Sequence, residues 1–396
     1  MNWSTPQLIS LASKNVPSVQ AQNFVHDGDG RFAFVAGRSV MCTRKSPKTY
    51  LGQSVDYELA LKVPHEFVEI TSLEFWPHKL SSSRPFLVVA TDRHFEHQAR
   101  ISVFDTYAGN GTEIASYSFG QDYVEEETSN GEEYSSGSIN WMALGTFSRS
   151  KMVRVGQVKI VLSLGFLNHS RNFNQLIVGT DNGLVLLFAL VSPKTLRLTA
   201  IVDKSYDLPV YSVSGNLLKN SPTIAACDDK GKAIVWRYTN ENWAKRYTTT
   251  GESYDDMDAM DQDLAGIVRI FGDVLLIGRH NGFVEGHNID TKTVIWRIST
   301  CTMPVSSIDI HIKLHLLLVA GEDGRCTILQ LPSTRSGTLY LEPAAAQDDT
   351  HVMLSSFALN GIVLGARFAR FLEDNVDFVV CVAERPYLLK YEYSQT

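Results

Sequence analysis

The sequence has little of what marks a secreted, membrane-spanning or helical protein. Its 396 residues include five cysteines, Cys42, Cys227, Cys301, Cys326 and Cys381, an odd number with no two closer than 25 positions. That spacing excludes a CxxC metal knuckle, argues against a disulfide framework and suits a reducing compartment, so a cytoplasmic location is expected. No basic segment followed by an apolar one stands at the start, and the sequons at Asn2, Asn110 and Asn168 read as chance matches in such a chain. The longest apolar stretches, such as residues 178–191, are broken by Asp, Asn and Gly well short of the ~18–20 residues that span a bilayer, so no integral membrane association is expected. Apolar residues at helical spacing are almost absent.

What is present is a repeat. An apolar strand ending in small residues, a polar turn containing glycine and a second apolar strand recur as LIVGTDNGLVLLF (176–188), IAACDDKGKAIVW (224–236), LLIGRHNGFVEGH (275–287) and LLVAGEDGRCTIL (317–329). Their turn glycines, Gly183, Gly231, Gly282 and Gly324, lie 48, 51 and 42 residues apart. A four-stranded propeller blade repeats every ~40–45 residues, and these intervals fit blades with added loops. Weaker copies at 32–43, 86–105 and 378–391 bring the number of hairpins to seven. β-Rich segments precede them, as at 70–76, 210–215 and 305–310, and another follows at 294–299. The fold class expected is therefore all-β: a single seven-bladed β-propeller over residues 1–396. The last hairpin ends near residue 393 and leaves its blade without an outer strand. The only unassigned candidate is PQLISLA (6–12), so this N-terminal strand is expected to close the last blade.

These residues resemble the WD-repeat β-propeller family in a degenerate form. Val235-Trp236-Arg237 and Val103-Phe104-Asp105 stand where the family has its terminal Trp-Asp, and the Gly-His signature is essentially missing, so the family's buried Asp-His network is not transferable to numbered residues. The likeness runs from about Leu176 onward through GTDNG, DDKGKAIVWR, AGEDGR and LGARF (364–368). The resemblance implies an intracellular, non-enzymatic scaffold.

Motifs that suggest chemistry are incomplete. His94-Phe95-Glu96-His97 has the His-x-Glu of zinc deaminases, but no Pro-Cys-x-x-Cys follows to complete the ligand set. His311 and His315 are four apart, yet Ile308, Ile310 and Ile312 alternate around them as in a strand and turn. Gly109-Asn110-Gly111 lacks the third glycine and helix of a phosphate loop, Asp229-Lys230-Gly231 lacks the flanks of a sialidase box, and no Gly-x-Ser-x-Gly occurs. Neither an enzyme nor a cofactor or metal site is expected.

Charge is more informative. With 36 basic and 43 acidic residues the net charge is −7, which disfavours nucleic acid as a partner. Twelve acids fall in two segments: Asp122, Glu125, Glu126, Glu127, Glu132 and Glu133, then Glu252, Asp255, Asp256, Asp258, Asp261 and Asp263. The first belongs to a long insertion expected at 107–157 between blades 2 and 3, the second to a loop at 250–263 between blades 4 and 5. Connections from one blade's outer strand to the next blade's inner strand all emerge on one propeller face. The segment 342–361, with Asp348 and Asp349, is expected there too, giving an acidic rim. The opposite face carries Arg44, Lys45, Lys48, Lys79, Arg84, Arg171, Lys194, Arg197 and Arg335.

Two readings of the acidic segments stand: solvated loops that keep the protein soluble, or a face that receives a Lys/Arg-rich protein segment, with Tyr123, Tyr134 and Trp141 as anchors. The function expected is a protein-interaction scaffold, monomeric when isolated. The alternative is a permanently docked subunit of a larger assembly in signalling or cilium-related transport.

Overall fold

The computed structural model describes residues 2–11, 16–18, 24–27, 31–45, 56–61, 68–77, 85–93, 98–106, 111–119, 123–127, 150–154, 158–169, 173–192, 194–203, 208–216, 221–228, 230–239, 242–249, 265–331, 353–369 and 376–394. Every element among them is a strand.

Two short strands come first, β1 (Asn2–Trp3) and β2 (Gln7–Ser10). Blade 1 is β3 (Phe24–His26), β4 (Phe32–Ala36), β5 (Ser39–Lys45) and β6 (Asp56–Leu61). Blade 2 is β7 (Val68–Trp76), β8 (Phe86–Arg93), β9 (Gln98–Asp105) and β10 (Thr112–Ser118). A separate hairpin follows, β11 (Tyr123–Glu127) with β12 (Ser150–Arg154). Blade 3 comprises β13 (Val161–His169), β14 (Phe173–Thr180), β15 (Val185–Ser192) and β16 (Thr195–Asp203). In blade 4 the strands are β17 (Val210–Gly215), β18 (Thr223–Asp228), β19 (Ala233–Thr239) and β20 (Asn242–Thr248). Blade 5 holds β21 (Ala265–Phe271), β22 (Val274–Arg279), β23 (Phe283–Asn288) and β24 (Thr293–Ser299). Blade 6 holds β25 (Val305–His311), β26 (Leu316–Gly321), β27 (Arg325–Gln330) and β28 (Met353–Ala358). Blade 7 has three strands in sequence, β29 (Val363–Phe368), β30 (Asp377–Val382) and β31 (Tyr387–Ser394).

The fourth strand of blade 7 is β2, which pairs antiparallel with β31 from Gln7 opposite Lys390 to Ser10 opposite Tyr387. β1 continues the pairing, Trp3 opposite Tyr393. The last sheet is thus built from both ends of the described chain, as the unassigned apolar segment at 6–12 indicated. All ladders are antiparallel meanders, giving a seven-bladed propeller.

Seven apolar clusters hold the blades together, one at each interface between neighbours, including that between blades 7 and 1. Burial is greatest at the second strands and falls toward the rim. The second strands β18, β22 and β26 are buried along their whole length, whereas the outer strands β20 and β24 are mostly open. This explains why the sequence shows continuous apolar runs at second strands and only weak patterns at outer ones.

The inner strands are tied to one another by hydroxyls. Thr71 donates to the carbonyl of Val161 at 2.6 Å, and Ser163 to that of Val210 at 3.0 Å. Ser212 and Ser214 accept from the amides of Val268 and Ile270 at 3.1 and 3.2 Å. Ser307 bonds both the amide and the carbonyl of Ala366. Each link satisfies backbone groups that a radial sheet leaves unpaired at its inner edge. Glycine is required at the turn of Gly282, where φ is +84° and a Cβ would stand 2.0 Å from the carbonyl oxygen of Cys301.

Two boundaries differ from the sequence reading. Within the expected insertion 107–157, Thr112–Ser118 is β10, the outer strand of blade 2, paired with β9. The outer strand of blade 6 is Met353–Ala358, so Asp348 and Asp349 lie in the connection from β27 to β28. That connection runs within a blade and starts from the face opposite the one expected. A polar outer strand reached after a long connection has no local pattern to announce it.

Candidate functional site

Six inner strands share one irregularity. Their pairing slips by a residue near the start, between Ile70 and Ser72, Val161 and Ser163, Val210 and Ser212, Ala265 and Ile267, Val305 and Ser307, and Val363 and Gly365. A bulge breaks the alternation of sides, so residues three apart face the same way. In β21 and β25 the partly open positions are therefore Gly266 with Arg269 and Ser306 with Asp309. The corresponding pairs in β7 and β17 are Thr71 with Glu74 and Tyr211 with Ser214. Two rings of side chains line the axis.

The deeper ring carries charge. Glu74 from blade 2, Arg269 from blade 5, Asp309 from blade 6 and Arg367 from blade 7 act on one another electrostatically across the channel. Burial pushes the Glu74 carboxyl up to about 7, against the pull of Arg269 and Arg367. Burial, then repulsion by Arg367, lowers Arg269 to about 10. Asp309 is also raised by burial, with Arg367 opposing, and accepts the amide of Phe368 at 2.7 Å. Arg367 donates to the Ser307 hydroxyl and to the carbonyl of Ala366. Two cations and two acids thus share this buried ring.

This ring has a pH signature. A carboxyl whose folded pKa exceeds its unfolded one binds protons more readily when folded, so Glu74 makes stability fall as pH rises from about 4.5 to about 7. Glu74→Gln is expected to raise stability at pH 8 by on the order of 1–3 kcal/mol and to leave it unchanged at pH 4. Denaturant unfolding at the two pH values measures it.

The outer ring opens onto the face from which the inner strands start. Tyr211, Met303 and Ile362, at the starts of the inner strands of blades 4, 6 and 7, are 42%, 48% and 43% exposed. Turns on this face are pinned by carboxylates. Asp323 accepts the amide and hydroxyl of Thr302 at 2.7 and 2.8 Å, and its pKa is lowered by these hydrogen bonds and Arg325 against the effect of burial. Asp181 accepts the amides of Lys159 and Ile160, both at 3.2 Å.

The acidic residues singled out in the sequence fall mostly beyond the described part. Asp122, Glu132, Glu133, Tyr134, Trp141 and the loop 250–263, with Glu252, Asp255, Asp256, Asp258, Asp261 and Asp263, lie outside the described residues, as do His94–His97 and Gly109-Asn110. Tyr123, Glu125, Glu126 and Glu127 are in β11, where Glu126 is paired with Lys151 and Tyr123 with Arg154. β11 contacts β16, the outer strand of blade 3. The paired histidines take separate places. His311 is buried edge-on against Phe368, its Nδ1 accepting the amide of Leu314, while His315 sits in a turn against Phe271. All five cysteines are buried, and none is in a disulfide.

No protein-family model matches the chain, and no curated protein matches it in sequence. Solved structures match over nearly all of it. A chain in the crystal structure of BBS1N in complex with ARL6DN aligns with a TM-score of 0.58 and 14% identity, covering 100% of this chain and 98% of that one. A chain of the Mitotic Checkpoint Complex gives 0.60 and 12%, covering 99% and 95%. The WD40 β-propeller domain of Doa1 gives 0.56 and 11%, covering 99% and 98%. The fold is that of a WD40 β-propeller. The expected likeness to WD-repeat proteins therefore holds at the level of architecture, with the signature residues largely replaced.

Proposed function

We propose that this propeller is a non-enzymatic platform that docks a protein partner on the face where its inner strands begin, and that the partner presents a Lys/Arg-rich segment. Propellers of this fold typically act as protein-interaction scaffolds, and two of the similar chains come from multiprotein structures. The observation that carries the reading is the channel mouth, where Tyr211, Met303 and Ile362 are exposed on one face. Both acidic segments belong to connections that run from an outer strand to the next inner strand, β10 to β13 and β20 to β21, the class of connection expected on that face. An apolar centre with a charged periphery suits a partner that is steered by charge and held by apolar contact. Rigid blades present such a surface at little ordering cost.

Affinity purification from cells, comparing the wild type with a variant whose twelve acids are changed to Asn or Gln, tests the electrostatic part. Recovery of a partner with a basic segment is expected to fall at least tenfold, and the wild-type complex to weaken as salt rises. An unchanged partner list would return the acids to a solubilising role.

A further inference from the structure

An open groove of about 510 Å³ lies on the rim between blades 4 and 5, away from the channel mouth, and among the described residues its walls are Lys245, Arg246, Tyr247, Thr248 and Lys292. Three of these five carry positive charge. We propose that this groove is a second protein-docking site, taking a peptide segment rich in Asp and Glu.

The strongest argument is internal to the repeat. Where third and outer strands pair, most blades contain a bulge that leaves one outer-strand residue without a partner. In blades 2, 5 and 6 that residue is Ile114, Ile295 or Leu354, each packed against an apolar cluster between blades, and in blade 3 it is Thr199, whose hydroxyl donates to the Leu187 carbonyl within the blade. In blade 4 it is Arg246, and it is exposed. Ordinary alternation would send Lys245 and Arg246 to opposite sides of the strand, whereas the bulge lets both line one groove. The fold accepts an aliphatic residue here, so the arginine is not a requirement of the architecture.

Lys292 departs from a local preference as well. It sits at φ +60°, the left-handed region that favours glycine or asparagine, in a turn fixed by its amide donating to the carbonyl of Asn288 at 2.9 Å. Residues held in this way concentrate at binding sites. The surrounding acids are engaged elsewhere. Asp290 pairs with Arg237 at 3.0 Å, and Glu285 is held by Arg279 and His287. Among the described residues no carboxylate pairs with Lys245, Arg246 or Lys292. Tyr247 turns its hydroxyl inward to His287, which leaves its ring as a wall and the hydroxyl of Thr248 as a further polar group. In a chain with net charge −7, such a basic concavity attracts an anionic segment and not the basic partner assigned to the channel mouth. The two sites can therefore fail independently.

The test is fluorescence anisotropy with three labelled dodecapeptides: one of alternating Asp and Glu with Gly, its Asn/Gln counterpart, and a phosphoserine version. The double variant Arg246→Ile, Lys292→Gly copies the aliphatic residue of blades 2, 5 and 6 and relieves the left-handed lysine, so its melting temperature is expected to be unchanged or higher. Binding of the Asp/Glu peptide to the wild type, weakened at least tenfold in that variant and by raising salt from 50 to 300 mM, supports the site. Binding of the phosphoserine version without binding of the Asp/Glu peptide overturns it. Equal binding by the variant, equal binding of the neutral peptide, or binding that appears only after the acids of 252–263 are neutralised overturns the proposal.

Discussion

Deleting residues 1–12 is expected to lower the melting temperature by about 5–10 °C and to broaden the transition, because it removes the outer strand of a blade that the rest of the chain cannot supply. β2 contributes four ladder positions to β31, and β1 adds two more. The junctions are also bonded: Ser4 donates its amide to Glu392 at 2.9 Å and accepts from the Glu392 amide through its hydroxyl, while Leu11 donates to Pro386 at 3.0 Å. Leu11 is buried and Ile9 partly so, in the cluster that joins blade 7 to blade 1 through Phe24, Phe34, Val379 and Leu388. Without the strand, β31 becomes an open edge and this interface loses its outer apolar cover. A peptide of residues 1–12 added in trans is expected to restore part of the loss. Unchanged melting would mean that closure rests on the inner strands alone.

How much of this was legible follows from where each strand lies in its blade. The seven central hairpins are largely buried, so their sequences are apolar runs around a polar turn, with a glycine in five of them, and all seven correspond to second and third strands. The closing strand was legible by elimination. Outer strands were not uniformly so: β24, with Ile295 and Trp296 among polar neighbours, has enough apolar content to show, whereas β28 begins 23 residues after β27 ends and reads as loop. That misplacement assigned Asp348 and Asp349 to a connection between blades, whereas they precede the outer strand of blade 6. The channel ring was missed for another reason. Glu74, Arg269, Asp309 and Arg367 each stand singly in an apolar strand, and only the recurrent bulge and the circular arrangement bring them together. Arg246 was hidden in the same way, since it departs from its neighbours only once the bulges of blades 2, 5 and 6 are superposed.

Glu285→Ala is expected to cost about 3–5 kcal/mol at pH 7, a large part of the ~5–15 kcal/mol that keeps a typical domain folded. Glu285 lies on β23, buried, where one carboxylate oxygen accepts from Arg279 Nε and Nη2 at 3.1 and 2.7 Å and from His287 Nε2 at 2.8 Å. In the neutral imidazole with Nε2 donating there, Nδ1 accepts, and the Tyr247 hydroxyl from blade 4 lies 2.8 Å from it as the donor. The chain Tyr247, His287, Glu285, Arg279 thus ties two blades together, in a fold whose sequence lacks the usual Asp-His signature. Burial opposes the charge on Glu285, but the His287 and Arg279 contacts outweigh it and hold the carboxyl at about 2. Removing it takes from the buried Arg279 the carboxylate that its Nε and Nη2 share, which is costlier than never having had the pair. The pH dependence separates this from simple loss of packing. A carboxyl with a depressed folded pKa contributes fully above its unfolded value of about 4.5, and that contribution disappears as pH falls through 2. The stability gap between wild type and Glu285→Ala, from denaturant unfolding, is therefore expected to be constant from pH 6 to 8 and to narrow below pH 4.5. A gap that does not change down to pH 3 would assign the residue's effect to its volume and not its charge.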